Sequence, residues 1–285
     1  MKKFLLITIT LSTFLLFSSS AINYVDMSEK TIKSTKEKYY QRNVLKDKSD
    51  TLKLTQAVEK SYNEKGNIIE QKTILYKSNK DSSITRTTYH YNENHLLSQV
   101  NVYTGASVPS ENAVLKVSTS HTYDNAGLLE KTVISNVNNN MLESEEYEYS
   151  DNGKKVIKKT FTPGRTLKSK TVNFFDEKGN KVKMFRYDDS QLKDSTIYKY
   201  DSNNFEIYSA NYSSEGQLKF KYVYENDSKG NQTRTKMYHT PEKDLVAYYV
   251  SDYVYDSNGN WTEATEKNYA TDQIISKRFR EIIYY

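Results

Sequence analysis

The sequence predicts an all-β fold, built as an elongated antiparallel meander of repeated β-hairpins. Three observations favour it: an aromatic-Asp-x-x-Gly turn motif recurs, aromatic residues return at steps of 12 to 14 residues, and the chain contains 26 tyrosines. Tyrosine is a good strand former with an apolar ring and a polar hydroxyl. With a mean hydropathy of −0.82, this tyrosine-rich composition indicates a sheet with at least one face in water.

The turn motif is clearest at Tyr255–Trp261. Asp at the first turn position can accept a hydrogen bond from the main chain two residues on, and Gly at the fourth can adopt the positive φ that closes such a hairpin. Asn204 replaces Gly well in one copy, and His95 replaces it less well in another. Pro163-Gly164 predicts a type II turn. Seven of the nine glycines share the fourth position: Gly66, Gly127, Gly153, Gly179, Gly216, Gly230 and Gly259.

The aromatic spacing between Tyr149 and Tyr224 predicts one strand and one short turn per step. Aromatic residues fall at 149, 161, 175, 187, 200, 212 and 224. Such spacing is typical of an antiparallel meander. Within Leu218–Tyr224, large apolar side chains alternate with lysines, as in a half-buried strand. Each hairpin is expected to contact mainly its neighbours, as in other repeat proteins.

The start of the chain resembles an export signal. Lys2 and Lys3 precede an apolar run that ends near Phe17, and small residues follow. This order predicts a cleavable signal peptide over 1–21, cut near Ser20 or Ala21, with a retained membrane anchor as the alternative. We expect a secreted, periplasmic or cell-surface protein. Residues 22–50 are a polar linker or a first strand, and 51–285 form the β-hairpin repeat domain.

The repeated Tyr-Asp-x-x-Gly-Asn pattern resembles the YD repeats of the RHS family of bacterial secreted and surface proteins. The resemblance covers roughly 60–285 and is carried best by Tyr255–Trp261, Tyr123–Leu129 and Phe175–Val182. It implies long β-hairpin ribbons at a secreted or surface location. Large family members wrap such ribbons into a shell around a toxin domain. Here the spacing is longer and less even, the chain is too short for a shell, and no toxin domain follows the repeats.

The charged residues give no indication of a nucleic-acid partner. The formal charge is +5, and removal of Lys2 and Lys3 lowers it to +3. Lysines and glutamates are scattered along the chain, whereas nucleic-acid-binding proteins gather basic residues into a stripe. With no cysteine in the chain, disulfides and a lipid-modified cysteine are excluded.

No residue pattern predicts catalysis, a cofactor or a metal. The four histidines, His90, His95, His121 and His239, lack the spacing of zinc ligands. The Asp-rich turns lack the downstream glutamate of a calcium loop. The acidic segment 143–148 faces the basic segment 154–159 across one turn, which indicates a cross-strand charge ladder and not a pair of catalytic carboxylates. We therefore expect a protein that is not an enzyme.

The candidate binding surface is the aromatic set that recurs at the turns. If these side chains lie along one face, they either pack the sheet together or stack on sugar rings and dock a protein. The set comprises Tyr62, Tyr123, Tyr149, Phe175, Tyr200, Tyr224, Tyr255 and Trp261.

The main functional hypothesis is a non-catalytic binding or structural module. Its partner would be a glycan, an envelope or host protein, or a second copy joined through an unpaired sheet edge. One alternative is an outer-membrane β-barrel, although lysines recur on both faces of many strands and a charge facing lipid is costly. The other is a secreted hydrolase on an unrecognised β scaffold. Neither nucleic-acid binding nor stable membrane insertion after signal removal is expected.

Overall fold

The fold is a single sheet of 18 antiparallel strands that closes on itself. The structure is a computed structural model that describes residues 31–42, 51–76, 82–105, 113–239 and 244–285. The predicted signal peptide at 1–21 lies outside these residues. No helix in the described part of the chain is long and apolar enough to cross a membrane.

The strands follow one another along the chain without crossovers. Their bounds are β1 Ile32–Arg42, β2 Leu52–Tyr62, β3 Ile68–Tyr76, β4 Ser82–Tyr91, β5 Leu97–Gly105, β6 Val114–Tyr123, β7 Leu129–Asn136, β8 Met141–Ser150, β9 Lys155–Phe161, β10 Leu167–Phe175, β11 Lys181–Asp188, β12 Gln191–Tyr200, β13 Glu206–Ser213, β14 Leu218–Asn226, β15 Gln232–His239, β16 Asp244–Tyr255, β17 Trp261–Asn268 and β18 Ile274–Tyr284. Each strand pairs with the next, so the predicted all-β meander is confirmed.

The expected elongated sheet is wrong, because β1 pairs with both β2 and β18. Glu37 lies opposite Val58 on one side and opposite Arg280 on the other. The ladder continues past the strands, where the Tyr285 N–H donates to the Thr31 carbonyl at 3.0 Å. The ring therefore leaves no free edge among the described strands for pairing with a second copy.

The strand β1 lies inside the segment 22–50 that the sequence left open as linker or first strand. Its centre, Lys36-Glu37-Lys38, is as polar as a linker, and only its two neighbours make it a strand. An open sheet would leave both its edge strands with unpaired main-chain groups. Closure satisfies those groups, which is the physical reason that the meander forms a barrel.

Two rims result from this order. The turns from even-numbered to odd-numbered strands lie at the first rim, where β1 also begins and β18 ends. Those from odd-numbered to even-numbered strands lie at the second rim. The second-rim turns range from Asp189-Ser190 to five-residue connections at 162–166 and 269–273, and four others include residues outside the described ranges.

The predicted turn chemistry is confirmed at the first rim and in the turn after Ser213 at the second rim. The Asp124 carboxylate accepts hydrogen bonds from the Ala126 and Leu128 N–H groups at 2.9 and 2.8 Å. The seven glycines at the fourth position have φ between +78° and +83°. Asn204 and His95 adopt φ of +65° and +61° in their place.

Two turns differ from their predictions. At Pro163-Gly164 the positive φ falls on Arg165 and not on Gly164, and the Arg165 N–H donates to the Thr162 carbonyl at 2.9 Å. This segment therefore forms the common turn, with Arg165 at the fourth position, and not a type II turn. The turn at Asp151–Gly153 is tighter, since Asp151 and Asn152 also have positive φ.

Register assigns every strand residue to one of two faces, because directly opposite residues point to the same side. All but three of the buried residues share a face: Thr35, Glu37, Val58, Thr87, Tyr89, Val100, Thr132, Thr160, Asp194, Ser209, Asn211 and Ala264. Side chains converge on the concave side of a closed sheet and diverge on its convex side. We therefore call this the inner face and its opposite the outer face.

Closure can be tested by a cross-link, since the chain has no cysteine. Lys36 and Glu281 lie directly opposite on β1 and β18 and are both on the outer face. Opposite pairs have Cβ atoms about 4.5–5.5 Å apart, within reach of a disulfide after small adjustments. The double variant K36C/E281C should form an intramolecular disulfide on mild oxidation, seen as faster migration on a non-reducing gel. K36C/E225C should not, and equal cross-linking of both pairs would contradict the closed ring.

The left-handed glycines predict a graded series of substitutions. Gly66→Ala places a Cβ in open space at φ +78°, and Gly230→Ala places one 2.6 Å from the Phe205 ring at φ +83°. We expect Gly66→Ala to lower the free energy of unfolding by about 1–2 kcal/mol, and Gly230→Ala to lower it further. Gly164→Ala, in open space without a positive φ, should leave it unchanged or slightly raise it. Denaturant midpoints measure all three, and equal losses would contradict the assigned turn conformations.

Candidate functional site

The inner face of the barrel carries many polar side chains among apolar and aromatic ones. Its threonine, serine, asparagine and glutamine members include Gln56, Gln71, Thr73, Thr85, Thr87, Thr119, Thr132, Asn136, Thr160, Thr171, Asn173, Thr196, Ser209, Asn211, Thr235, Ser251, Asn268 and Ser276. Barrels of this strand number are wide enough to leave an aqueous channel. Hydroxyl and amide groups on its wall can hydrogen-bond to water or to polar solutes.

The most deeply buried inner charges are paired. Arg186 Nε donates to the Asp194 carboxylate at 2.7 Å, and Asp194 is only 3% exposed. Arg280 makes the matching contact to Glu37 at 2.9 Å. The Arg186 guanidinium holds the pKa of Asp194 below its usual value, although burial acts in the opposite direction and is the larger single influence. The wall is therefore polar at these places without a large unbalanced charge.

An aromatic collar lines the inner face at the first rim. Every even-numbered strand contributes one member, two residues beyond an inward-facing position. The collar consists of Tyr62, Tyr91, Tyr123, Tyr149, Phe175, Tyr200, Tyr224, Tyr255 and Tyr284. The intervening aromatics of the 12-to-14 spacing, such as Tyr187, lie instead on the outer face. The aromatic residues of this spacing therefore alternate between the inner face and the outer face.

Four collar hydroxyls connect their strand to the main chain of the strand before it. Tyr91 donates to the Ile68 carbonyl at 2.8 Å, and Tyr123 donates to the Leu97 carbonyl at 2.7 Å. Tyr149 and Tyr200 make the same contact to the preceding odd strand, both at 2.9 Å. These bonds reach main-chain acceptors at the start of the neighbouring strand, so they stabilise the contact between strands at the first rim.

The last two collar tyrosines bind a carboxylate instead of a carbonyl. Tyr255 donates to Asp227, and the Asn231 amide donates to the Tyr255 hydroxyl at 2.8 Å. Partial burial favours a raised pKa for Asp227, but the hydrogen bonds from Tyr255 and from two turn N–H groups outweigh it and lower the pKa. Asp227 therefore stays ionised in neutral solution and fixes the turn and the collar together.

Seven of the eight predicted surface residues lie in the collar. The eighth, Trp261, begins β17 beside Tyr255, with the Arg280 guanidinium 3.6 Å from its ring centroid. The prediction missed Tyr91, whose turn has His95 in place of glycine, and Tyr284, which no turn follows. The shared position at the end of an even strand identifies both. Binding by this surface remains a prediction, and the assigned hydroxyl contacts give it a structural role.

The outer face combines lysines with aromatic rings. Lys170 Nζ lies 4.1 Å from the Tyr187 ring centroid, and Lys236 Nζ lies 5.0 Å from that of Tyr248. In both pairs the partners are directly opposite on neighbouring strands. On the described strands, lysines therefore interrupt the apolar band that a lipid-facing barrel surface would carry.

The predicted charge ladder between β8 and β9 is present. Lys158 contacts Glu145 at 2.6 Å, and Lys159 contacts Glu148. Arg165 and Glu146 extend it at 3.0 Å. The acidic residues of β8 thus have basic partners, which matches a role in strand pairing.

Three histidines, His90, His95 and His121, lie on β4, the β4–β5 turn and β6, and His239 ends β15. His95 lies at the first rim with its Nε2 2.5 Å from Lys65 Nζ, and His121 contacts Thr132 from the inner face at 3.1 Å. Among the described residues no three histidine or carboxylate side chains come together to hold a metal ion.

Comparison with known proteins yields distant likenesses only. No protein-family model matches the sequence, so the RHS resemblance rests on the repeat motif, and no curated protein matches it either. A porin-like protein from Bacteroides uniformis ATCC 8492 is 12% identical, with 90% of this chain and 99% of that chain covered at a TM-score of 0.47. A porin-like protein from Bacteroides vulgatus ATCC 8482 is 9% identical over the same shares at 0.32.

The Tc holotoxin pore of Photorhabdus luminescens is a third similar structure. It is 12% identical and has a TM-score of 0.29, and the match covers 78% of this chain but 14% of that one. All three scores lie below 0.5, so the barrel is established by this chain's own strand pairings. A closed 18-stranded barrel fits the outer-membrane alternative of the sequence analysis better than the repeat-sheet module of its main hypothesis.

The collar bonds predict a specific cost for removing one hydroxyl. Tyr123→Phe deletes the donor to the Leu97 carbonyl and keeps the ring. We expect the free energy of unfolding to fall by about 0.5–1.5 kcal/mol, the usual net value of one hydrogen bond. The matched control is Tyr187→Phe on the outer face, where the ring under Lys170 is kept. Urea denaturation measures both variants. If Tyr187→Phe loses as much free energy of unfolding as Tyr123→Phe, the collar hydroxyls have no special structural role.

Proposed function

We propose that this protein is an outer-membrane-like β-barrel of the bacterial envelope, and that it works through its polar lumen. One observation carries the proposal: β1 closes the sheet around an inner face that is rich in hydroxyl, amide and paired ionic side chains. Such a wall admits water and small polar solutes. Its chemistry suits neutral hydroxyl-rich molecules such as sugars, since the wall offers many hydrogen bonds and little net charge.

The collar gives the lumen a selective end. Its rings lie at the first rim, and their inward placement brings them beside any solute that enters there. Aromatic faces next to hydrogen-bonding groups are the combination that stacks on sugar rings. Glycan fragments are therefore the solute class that we propose, and the protein would act on them by binding or admission, without catalysis.

The outer face supports a location in the aqueous part of the envelope. Outward lysines at mid-strand include Lys38, Lys72, Lys170, Lys221 and Lys236. Each would cost about 2–4 kcal/mol at the midplane of a bilayer. Several together exceed the roughly 5–15 kcal/mol that stabilises a typical domain. We therefore propose a barrel with water on both faces.

A lipid-spanning barrel is the second candidate, and the strand order favours it. The strand number is even, β1 begins and β18 ends at the first rim, and short regular turns occupy that rim. Outer-membrane barrels combine these features with longer connections on the opposite side. This candidate differs from the first only in what surrounds the outer face.

Two single cysteines on adjacent residues test both the lumen and its surroundings. Thr119 lies on the inner face of β6 and Ser120 lies on the outer face. In detergent-free solution Thr119→Cys should react with a small methanethiosulfonate reagent but not with a long polyethylene-glycol maleimide. Ser120→Cys should react with both, and light scattering should show one monodisperse species.

Three other results of the labelling experiment would contradict or change the proposal. If Thr119→Cys fails to react with the small reagent, the lumen does not admit solutes and the proposal fails. If it reacts with the long maleimide as fast as Ser120→Cys does, the inner face is not enclosed. If the protein needs detergent, and Ser120→Cys becomes unreactive in liposomes that now leak sugars, the lipid-spanning candidate replaces the aqueous one.

A further inference from the structure

The outer face is electrostatically uneven around the barrel. Over β9–β15 its charged members are almost all basic: Lys155, Lys159, Lys170, Lys183, Lys199, Lys221, Arg234 and Lys236. Glu225 is the one acidic residue among the outward, paired positions of these strands, which are all described. We call this surface the basic sector.

The rest of the outer face is balanced. On its remaining described strands, basic and acidic side chains alternate, as where Glu59 lies between Lys36 and Lys72. The basic members are Lys36, Lys38, Lys72, Arg86, Lys131, Lys267 and Lys277, and the acidic members are Glu59, Glu70, Glu146, Glu148, Asp252, Glu263 and Glu281. The basic sector is therefore a local feature of the fold, and the chain's modest net charge of +5 conceals it.

Aromatic rings, and not carboxylates, hold the lysines of the basic sector. Lys170 lies 4.1 Å from the Tyr187 centroid, Lys199 lies 5.1 Å from Tyr208, and Lys221 lies 5.0 Å from Tyr238. Each of these pairs is directly opposite on adjacent strands. A ring orients an ammonium group without neutralising it, so these charges stay available to an anion.

Five of these lysines contact a ring and no carboxylate of the described residues. They are Lys155, Lys170, Lys183, Lys199 and Lys221. By contrast, Lys159 pairs with Glu148, and Arg234 and Lys236 share Glu225. Lys170 also lies directly opposite Lys159, and like charges in that position weaken strand pairing, which an external polyanion would relieve.

We propose that the basic sector binds a flexible acidic polysaccharide. Seven strands at about 4.8 Å spacing make the sector about 30 Å wide, which suits a polymer that carries several anionic groups. The surface is the convex side of a barrel, so a flat membrane would touch only part of it, whereas a flexible chain can follow it. Lysines lie against the rings of Tyr187, Tyr208 and Tyr238, which leaves less aromatic surface for the base stacking that single-stranded nucleic acids usually require.

This site is independent of the lumen, because it uses only outward side chains. The test uses the full chain and linear polygalacturonate, with one carboxylate per sugar, as the probe. The variant K170Q/K199Q/K221Q removes three charges from the basic sector. The matched control K36Q/K38Q/K72Q removes three outward charges from the balanced part.

We expect titration calorimetry at low salt to show binding of polygalacturonate and none of neutral dextran. The basic-sector variant should weaken binding by about tenfold or more, equivalent to at least 1.4 kcal/mol, and the control should stay within about twofold. Salt should weaken binding by the unaltered protein more steeply than binding by the variant, since fewer ionic contacts remain to be screened. Circular dichroism and unchanged denaturant midpoints verify that both variants fold.

Three results would overturn the proposal. Equal weakening by the two triple variants would show attraction by net charge without a site. Binding of oligo-thymidine tighter than that of polygalacturonate would identify a nucleic-acid surface. Binding to vesicles of phosphatidylglycerol and phosphatidylcholine, without binding of the polysaccharide, would identify an anionic membrane as the partner.

Discussion

The pairing of β1 with β18 is the constraint on which the rest of the structure depends. These strands are separated by nearly the whole chain, and their ladder turns a row of hairpins into a ring. Without it, both faces of the sheet would be equivalent in exposure and neither would enclose a volume. With it, one face becomes a wall around a lumen, and the other becomes the outward surface of the barrel.

The collar contributes to the stability of the first rim. Most strands have few buried apolar side chains, because a single-layered barrel with polar faces has almost no hydrophobic core. Main-chain ladders and repeat-to-repeat contacts must therefore provide much of the cohesion. The tyrosine hydroxyls at the first rim are such contacts, and they explain why tyrosine and not phenylalanine predominates at these positions.

The turns and most strands could be predicted from local sequence chemistry, whereas the long-range strand pairing that closes the barrel could not. The Asp and Gly positions at Asp124–Gly127 determine a turn whether the sheet is open or closed. The strand β1, by contrast, has no pattern that distinguishes it from a linker, so its two partners could not be read from Lys36-Glu37-Lys38. Alternation shows that Thr119 and Ser120 lie on opposite faces, but both are polar, and only closure decides which one faces inward. The basic sector was hidden for the same reason, since its lysines alternate along the chain with residues of the other face.

The antiparallel ring also determines how such a barrel can change its width. In a ring of this kind the last strand can pair antiparallel with the first only if the strand number is even. A single added strand would make the closing pair parallel. The smallest permitted change is therefore one whole hairpin, which alters the circumference by two strand spacings, or about 10 Å. Because the repeat in this sequence is itself a hairpin bounded by first-rim turns, copying or deleting one unit would yield a wider or narrower barrel with its inner and outer faces preserved.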